Sequence, residues 1–248
     1  ANLLRLSACL FVLFSINAFA VDTDGDGFSD ADEATLGTDP NDPTSPLENK
    51  LTASDGSWGD LYSRSVSVSG NTAVIGAQYN DINYSYDAGS AYVYVRSEGV
   101  WTQQAKLTAS DADQNDHFGY SVSIDGDTIV IGAIYDGLGA TSGSAYIFFR
   151  SNGLWTEQQK LFPSDGASWD FFGYRVSIDG DTVLIGAYGD NDNGTNSGSA
   201  YVFVRSNGVW TEQQKLTASD RAWYDEFGQS VSIDGDTAVI SARLDDDN

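Results

Sequence analysis

Apolar and polar positions alternate in short bursts along this chain. From Tyr120 to Ile124, Val122 and Ile124 alternate with serines, the period-two signature of a strand with one buried face. Thr128-Ile-Val-Ile-Gly-Ala133 follows as a continuous apolar run. Asp125-Gly126 between the two runs predicts a tight hairpin whose central residues both take positive φ. Ser144 to Arg150 then reads as a third strand, Ser151-Asn152-Gly153 as a turn, and Leu154 to Leu161 as a fourth. No stretch after the first twenty residues keeps helical spacing over three turns, so the chain is expected to be all-β.

This four-strand unit is written four times. Lys-Leu-x-x-Ser-Asp begins at Lys50, Lys106, Lys160 and Lys215, giving periods of 56, 54 and 55 residues, the length of one four-stranded propeller blade. Hairpin pairs recur at Asp179-Gly180 and Asp234-Gly235. The expected fold is a β-propeller of four-stranded antiparallel blades, three complete (47–106, 107–160, 161–215) and one partial (216–248). Closed propellers have about four to eight blades. With Ala at residue 1 and the fourth period stopping after its second strand, a fragment of a longer propeller is expected.

Residues 1–20 carry one basic residue, Arg5, an apolar run from Leu6 to Ile16 and then Ala18-Phe19-Ala20, which predicts a secretory signal peptide with an A-x-A cleavage site. The run is shorter than the roughly 18 residues a spanning helix needs, so no transmembrane segment is expected after cleavage. Leu6-Ser7-Ala8-Cys9 has the letters of a lipoprotein box, but the apolar run lies behind it, the wrong order. Cys9 is the only cysteine, so the mature chain would hold neither disulfide nor thiol nucleophile. Secretion or display at the cell surface is the expected localisation.

The net charge is −24, from 36 Asp and Glu against 12 Lys and Arg, which excludes nucleic acid as a partner. Thirty of those acids are Asp, a bias that suits turns and hard-cation sites. Asp22 to Glu33 fits a twelve-residue calcium loop. Asp22, Asp24 and Asp26 stand at positions 1, 3 and 5, Gly27 at the sharp turn, Phe28 offers its carbonyl at 7, Asp30 lies at 9 and Glu33 closes the loop at 12. So many converging carboxylates repel one another without a dication, so Ca²⁺ is the expected cofactor. Ser29 replaces the usual aliphatic residue and no long helix precedes Asp22, so a paired EF-hand is not expected. Together with Leu36-Gly-Thr-Asp39-Pro-Asn-Asp42-Pro, the segment resembles a thrombospondin type 3 or related bacterial calcium repeat. That resemblance implies Asp39, and secondarily Asp42, as further ligands. Prolines 40, 43 and 46 then form a stiff linker, so residues 21–46 make one calcium-binding unit.

Phe118-Gly119, Phe172-Gly173 and Phe227-Gly228, with Gly132-Ala133 and Gly186-Ala187, resemble the FG-GAP repeats of the integrin α-subunit head. Departures are specific. Proline follows none of the Gly-Ala pairs, the first copy has Tyr62-Ser63, and the fourth has Ser241-Ala242. The family's calcium loop lies between its FG and GAP strands, where this chain has a two-residue turn. Its calcium sites are therefore not carried over to Asp125, Asp127, Asp179, Asp181, Asp234 or Asp236.

Repetition separates scaffold from function, because what every copy keeps serves every blade. Asp60, Asp116, Asp170 and Asp225, and the Ser-Asp pairs, are expected to close loops by hydrogen bonds, and Trp101, Trp155 and Trp210 to pack. Two connections vary: fourth strand to first, with Trp58, Trp169, Trp223 and Tyr224, and second to third, with Tyr79 to Tyr86 and Tyr188 to Asn196. Both emerge on one face of an up-and-down blade. Those four aromatic residues are the candidate contact surface for an extracellular protein or glycan, against the alternative that they wedge between blades. Asp190, Asp192 and Gly194 match three elements of a calcium loop, too few to outweigh an ordinary turn. His117 is the only histidine, and its equivalents are Leu61, Phe171 and Glu226, so no His triad or zinc cluster is available and no catalytic residue is expected. The expected function is calcium-binding adhesion or recognition. The alternatives are a non-catalytic propeller domain of a larger secreted hydrolase and a structural spacer.

Overall fold

A computed structural model describes residues 50–97, 99–137, 142–220 and 222–245. The leader and the Asp22–Glu33 loop lie outside the described residues. Fourteen strands and no helix make up the described chain. The first sheet holds β1 (Tyr62–Ser69), β2 (Thr72–Ala77), β3 (Ser90–Ser97) and β4 (Val100–Leu107). The second holds β5 (Phe118–Asp125), β6 (Thr128–Ala133), β7 (Ser144–Ser151) and β8 (Leu154–Leu161). The third holds β9 (Arg175–Asp179), β10 (Thr182–Ala187), β11 (Ser199–Ser206) and β12 (Val209–Leu216), and the fourth only β13 (Phe227–Asp234) and β14 (Thr237–Ala242). Strands in each sheet run in chain order and pair antiparallel. Three full blades and a partial one thus form a propeller arc that is not closed.

The core lies between blades. Val74, Ala91 and Val93 of the first blade meet Phe118, Val122, Ile124, Ile129 and Ile131 of the second in one buried cluster. Val130, Ala145 and Ile147 of the second meet Phe172, Ile178, Val183 and Ile185 of the third in another. Successive residues of β6 therefore face opposite neighbours, which is why the run is apolar throughout rather than alternating. Val239 of β14 faces no described blade and is 66% exposed.

The first hairpin differs from expectation by one residue. Asp125 pairs with Thr128, so the turn is Gly126-Asp127, with φ +53° at Gly126 and no positive φ at Asp127. This is the turn with glycine first, which asks for positive φ only there. Asp125 is freed to remain in the strand. The Asn152-Gly153 turn does take positive φ at both residues, 51° and 78°.

Beside β5, the serines of β1 have a role that alternation alone did not reveal. The innermost strand of a blade has a free edge, and unpaired N–H groups there are costly. Val122, Ile124 and Gly126 donate their N–H groups to the hydroxyls of Ser65, Ser67 and Ser69 at 2.9, 3.2 and 3.0 Å. Ile178 and Gly180 donate likewise to Ser123 and Asp125 of β5, and Ile233 and Gly235 to Ser177 and Asp179 of β9. Each blade caps the inner edge of the next.

Candidate functional site

The two variable sets of loops meet on one face through backbone hydrogen bonds. Tyr79, Tyr135, Gly189 and Leu244 donate their N–H groups to the carbonyls of Asp60, Asp116, Asp170 and Asp225. The carboxylates of those four aspartates accept N–H groups three residues upstream, from Ser57, Asp113, Ala167 and Ala222. Burial drives the carboxyl of Asp116 up to about 6, opposed by the Asp113 N–H and helped by the Asp136 charge. Asp170 rises to about 6 as well, by burial, against the Ala167 N–H and with Asp190 helping. In the first blade Asn80 stands where Asp136 and Asp190 stand, and its amide donates to Asp60 at 2.9 Å.

A lysine at the end of each outer strand ties these acids together. Lys106 meets Asp55 at 2.6 Å; Lys160 meets Asp111 and Asp136 at 2.7 and 2.6 Å. Lys215 sits amid Asp165, Asp190 and Asp192 at 2.7, 2.6 and 2.7 Å. The partial calcium-loop pattern of Asp190 and Asp192 is thus occupied by an ammonium group. Burial pulls Lys215 down, but its carboxylates outweigh that and hold it above the ordinary lysine range. Tyr146 and Tyr201 also donate their hydroxyls to this network, Tyr146 to Asp111 and Asp136, Tyr201 to Asp165 and Asp190. The Ser-Asp pairs bind across to the outer strands, Ser110 to Glu157 and Ser164 to Glu212. Among the described residues, no group of three or more His, Cys, Asp or Glu is arranged to hold a metal ion.

Trp58 is 102% exposed, Trp169 58%, Trp223 72% and Tyr224 52%, so none is wedged between blades. Trp101 and Trp210 are buried, and Arg96, Arg150 and Arg205 lie over Trp101, Trp155 and Trp210 at 5.8, 4.9 and 5.1 Å from the ring centres. His117 is buried edge-on between Tyr79 and Tyr135, with centroids 4.7 and 4.8 Å away, and burial lowers its pKa. Its backbone is left-handed, φ +57°, as at Leu61, Phe171 and Glu226, so it fills a shared structural position. The proposed calcium ligands Asp22, Asp24, Asp26, Phe28, Asp30, Glu33 and Asp39 lie outside the described residues.

Comparison with family models gives four matches to the FG-GAP repeat, at 47–94, 101–148, 155–203 and 210–248, and one to the bacterial TSP3 repeat, at 22–43. The chain belongs to the FG-GAP repeat family. Among curated proteins it finds no match. The FG-GAP glycines form the joint between blades. A Cβ on Gly132 would lie 2.0 Å from the carbonyl oxygen of Gly173, and one on Gly76 or Gly186 as close to that of Gly119 or Gly228. The Phe of each FG pair enters the same joint: Phe118 donates its N–H to Ala88 and is wholly buried against Tyr146 and Phe148 of its own blade. Two of the departures from the FG-GAP pattern, the serines that replace glycine, fall on joint positions. Ser63 takes the place of the FG glycine at φ +77°, and Ser241 that of the socket glycine, where its hydroxyl accepts the Ser230 N–H at 3.0 Å.

Proposed function

We propose that this protein is a secreted or cell-surface, calcium-binding FG-GAP propeller that works as an adhesion or recognition module without catalysis of its own. The observation that supports recognition is the loop-rich face, where Trp58, Trp169, Trp223 and Tyr224 stand open to solvent. Large exposed aromatic rings give no folding benefit and are the side chains that dominate binding surfaces. A solid-phase array of immobilised extracellular proteins and glycans should capture the full chain. The hits should vanish when Trp58, Trp169 and Trp223 are all changed to Ala; capture that survives those changes, or no capture, contradicts the reading.

Calcium enters through residues 22–43. Their donors are all hard oxygens, at the spacing a Ca²⁺ shell of six to eight oxygens requires. Asp22, Asp24, Asp26, Asp30 and Glu33 would supply carboxylates, Phe28 its carbonyl, and Asp39 a further ligand. Extracellular sites of this kind bind at about 10⁻⁴ to 10⁻³ M. Calorimetric titration of the full chain with Ca²⁺ should give heat that disappears in Asp24→Ala with Glu33→Ala. Equal heat from both proteins rules these residues out as the site. Extracellular placement rests on the leader-like residues 1–20 and on the TSP3 match; among the described residues no helix is long and apolar enough to cross a membrane.

A further inference from the structure

Trp169 and Tyr224 occupy equivalent places, each just before the loop-closing aspartate, in the left-handed region at φ +74° and +71°. The same place holds Gly59 in the first blade and Asn115 in the second, at φ +105° and +65°. Glycine and asparagine suit that backbone, whereas a bulky side chain is strained there. Strain of this sort persists when burial compensates it or when function requires it. Burial does not compensate it, because both rings are more than half exposed.

The rings are nevertheless held in place. Trp169 meets Phe171 edge-on at 6.1 Å, and Phe171 stacks on Tyr188 at 5.1 Å and 6°. Trp223 rests on the backbone of Gly194, where any Cβ would come within 2.5 Å of the indole, while the Tyr224 N–H is fixed by the Thr195 carbonyl at 2.8 Å. Indoles supported on one side and open on the other are preorganised stacking platforms. Exposed Asn191 and Asn193 lie on the β10–β11 loop against which the Trp223 indole rests; the Asn191 Oδ1 accepts the Asn196 N–H at 2.9 Å, which leaves its amide N–H groups to donate.

Charge narrows the ligand. A net charge of −24 repels polyanions. Five acids beside these rings are already engaged, Asp165, Asp190 and Asp192 by Lys215, and Asp170 and Asp225 by backbone N–H groups. One ammonium offsets only one of the three carboxylates it meets, so the face stays acidic, but these carboxylates are tied into ion pairs and hydrogen bonds, and what stays open is flat aromatic surface beside neutral amides. We propose that the loop-rich face binds a neutral polysaccharide, whose pyranose C–H faces stack on Trp169 and on Trp223 with Tyr224 while its hydroxyls pair with neighbouring amides. This rests on the recognition reading and narrows it to one ligand class.

Electrophoresis of the full chain through native gels cast with neutral β-glucan, mannan, xylan or dextran, and with alginate as a polyanion, tests it. At least one neutral polysaccharide should retard the protein, equally at low and high salt, and alginate should not. Trp169→Asn and Trp223→Ala should each weaken that retardation about tenfold. Trp169→Asn and Tyr224→Asn should also raise Tm by about 2–4 °C each, because asparagine relieves the left-handed backbone, so loss of binding cannot be put down to misfolding. Retardation by no neutral polysaccharide, or retardation unchanged in the variants, overturns the proposal. Salt-sensitive capture of a basic protein through the same aromatic residues, without retardation by any glycan, overturns it while leaving the recognition reading intact.

Discussion

Gly132→Ala is expected to cost about 3 kcal/mol or more of stability, towards the upper end of what overpacking does. The new methyl would meet the Gly173 carbonyl oxygen at 2.0 Å and the Ser121 hydroxyl at 2.5 Å. Its main obstacle is backbone of the next blade, which cannot swing aside as a side chain would, so the second and third blades must part. Parting exposes Phe172, Ile178 and Val183, which the joint buries. Gly153→Ala is the control. That glycine, unlike Gly132, has positive φ, +78°, but nothing lies within 4 Å of its missing side chain, so only the local conformational cost of about 1–2 kcal/mol applies. Urea unfolding of the two variants against the parent measures the difference; equal losses would mean that the glycine joint does not hold the blades together.

Lys215→Met should lose about 3–5 kcal/mol at neutral pH, the cost of stranding a buried charge. Its ammonium group is the shared partner of three carboxylates, and the Asp190 side chain is only 3% exposed. Methionine retains the aliphatic packing and removes the charge. Asp170, whose carboxyl burial already raises to about 6 and which the Lys215 charge holds down, would then rise further. A carboxyl raised in the folded state weakens the fold as pH climbs through that value, so the deficit should shrink on acidification. Lys106→Met provides the contrast, because Lys106 meets Asp55, whose side chain is 50% exposed, and should lose no more than about 1 kcal/mol. Thermal or urea unfolding of both variants at two pH values decides between a lysine that organises the loop face and one that merely decorates it.

The strand layout was legible because it is local. The apolar runs, the Asn-Gly turns and the 54–56-residue spacing each depend on neighbours in the chain, and the sheets follow them. What stayed hidden joins residues roughly one period apart. Ser65, Ser67 and Ser69 alternate with valines in the same way as the serines read at Tyr120 to Ile124, and nothing local shows that they cap N–H groups of the next blade, 57 positions away. Lys160 and Lys215 marked the repeat without disclosing that their ammonium groups gather carboxylates from the loops. The glycines of the FG and GA pairs announced a family before their close approach explained why glycine is needed. A polar residue kept in every copy within an otherwise apolar strand was the available sign of such bonds. The hairpin centre was misplaced by one residue because Asp-Gly suits two turn types, and the choice depends on Asp125 being needed in the strand to accept the Gly180 N–H. Exposure of Trp169 and Tyr224 was an open alternative in the sequence, since nothing local tells a ring between blades from one above them.

The stacking of blades can be tested by hydrogen exchange of the full chain at single-amide resolution. Val122, Ile124 and Gly126 donate to serines of the preceding blade, and Ile178 and Gly180 are capped in the same way. Val66, Val68 and Gly70, their counterparts on β1, have no such serines beside them among the described residues. Strong protection at the β5 and β9 amides with fast exchange at the β1 amides is the predicted result. Equally fast exchange at all three strands would mean that the sheets do not stack edge to edge, and the joints, the shared loop face and its aromatic platforms would fall with them.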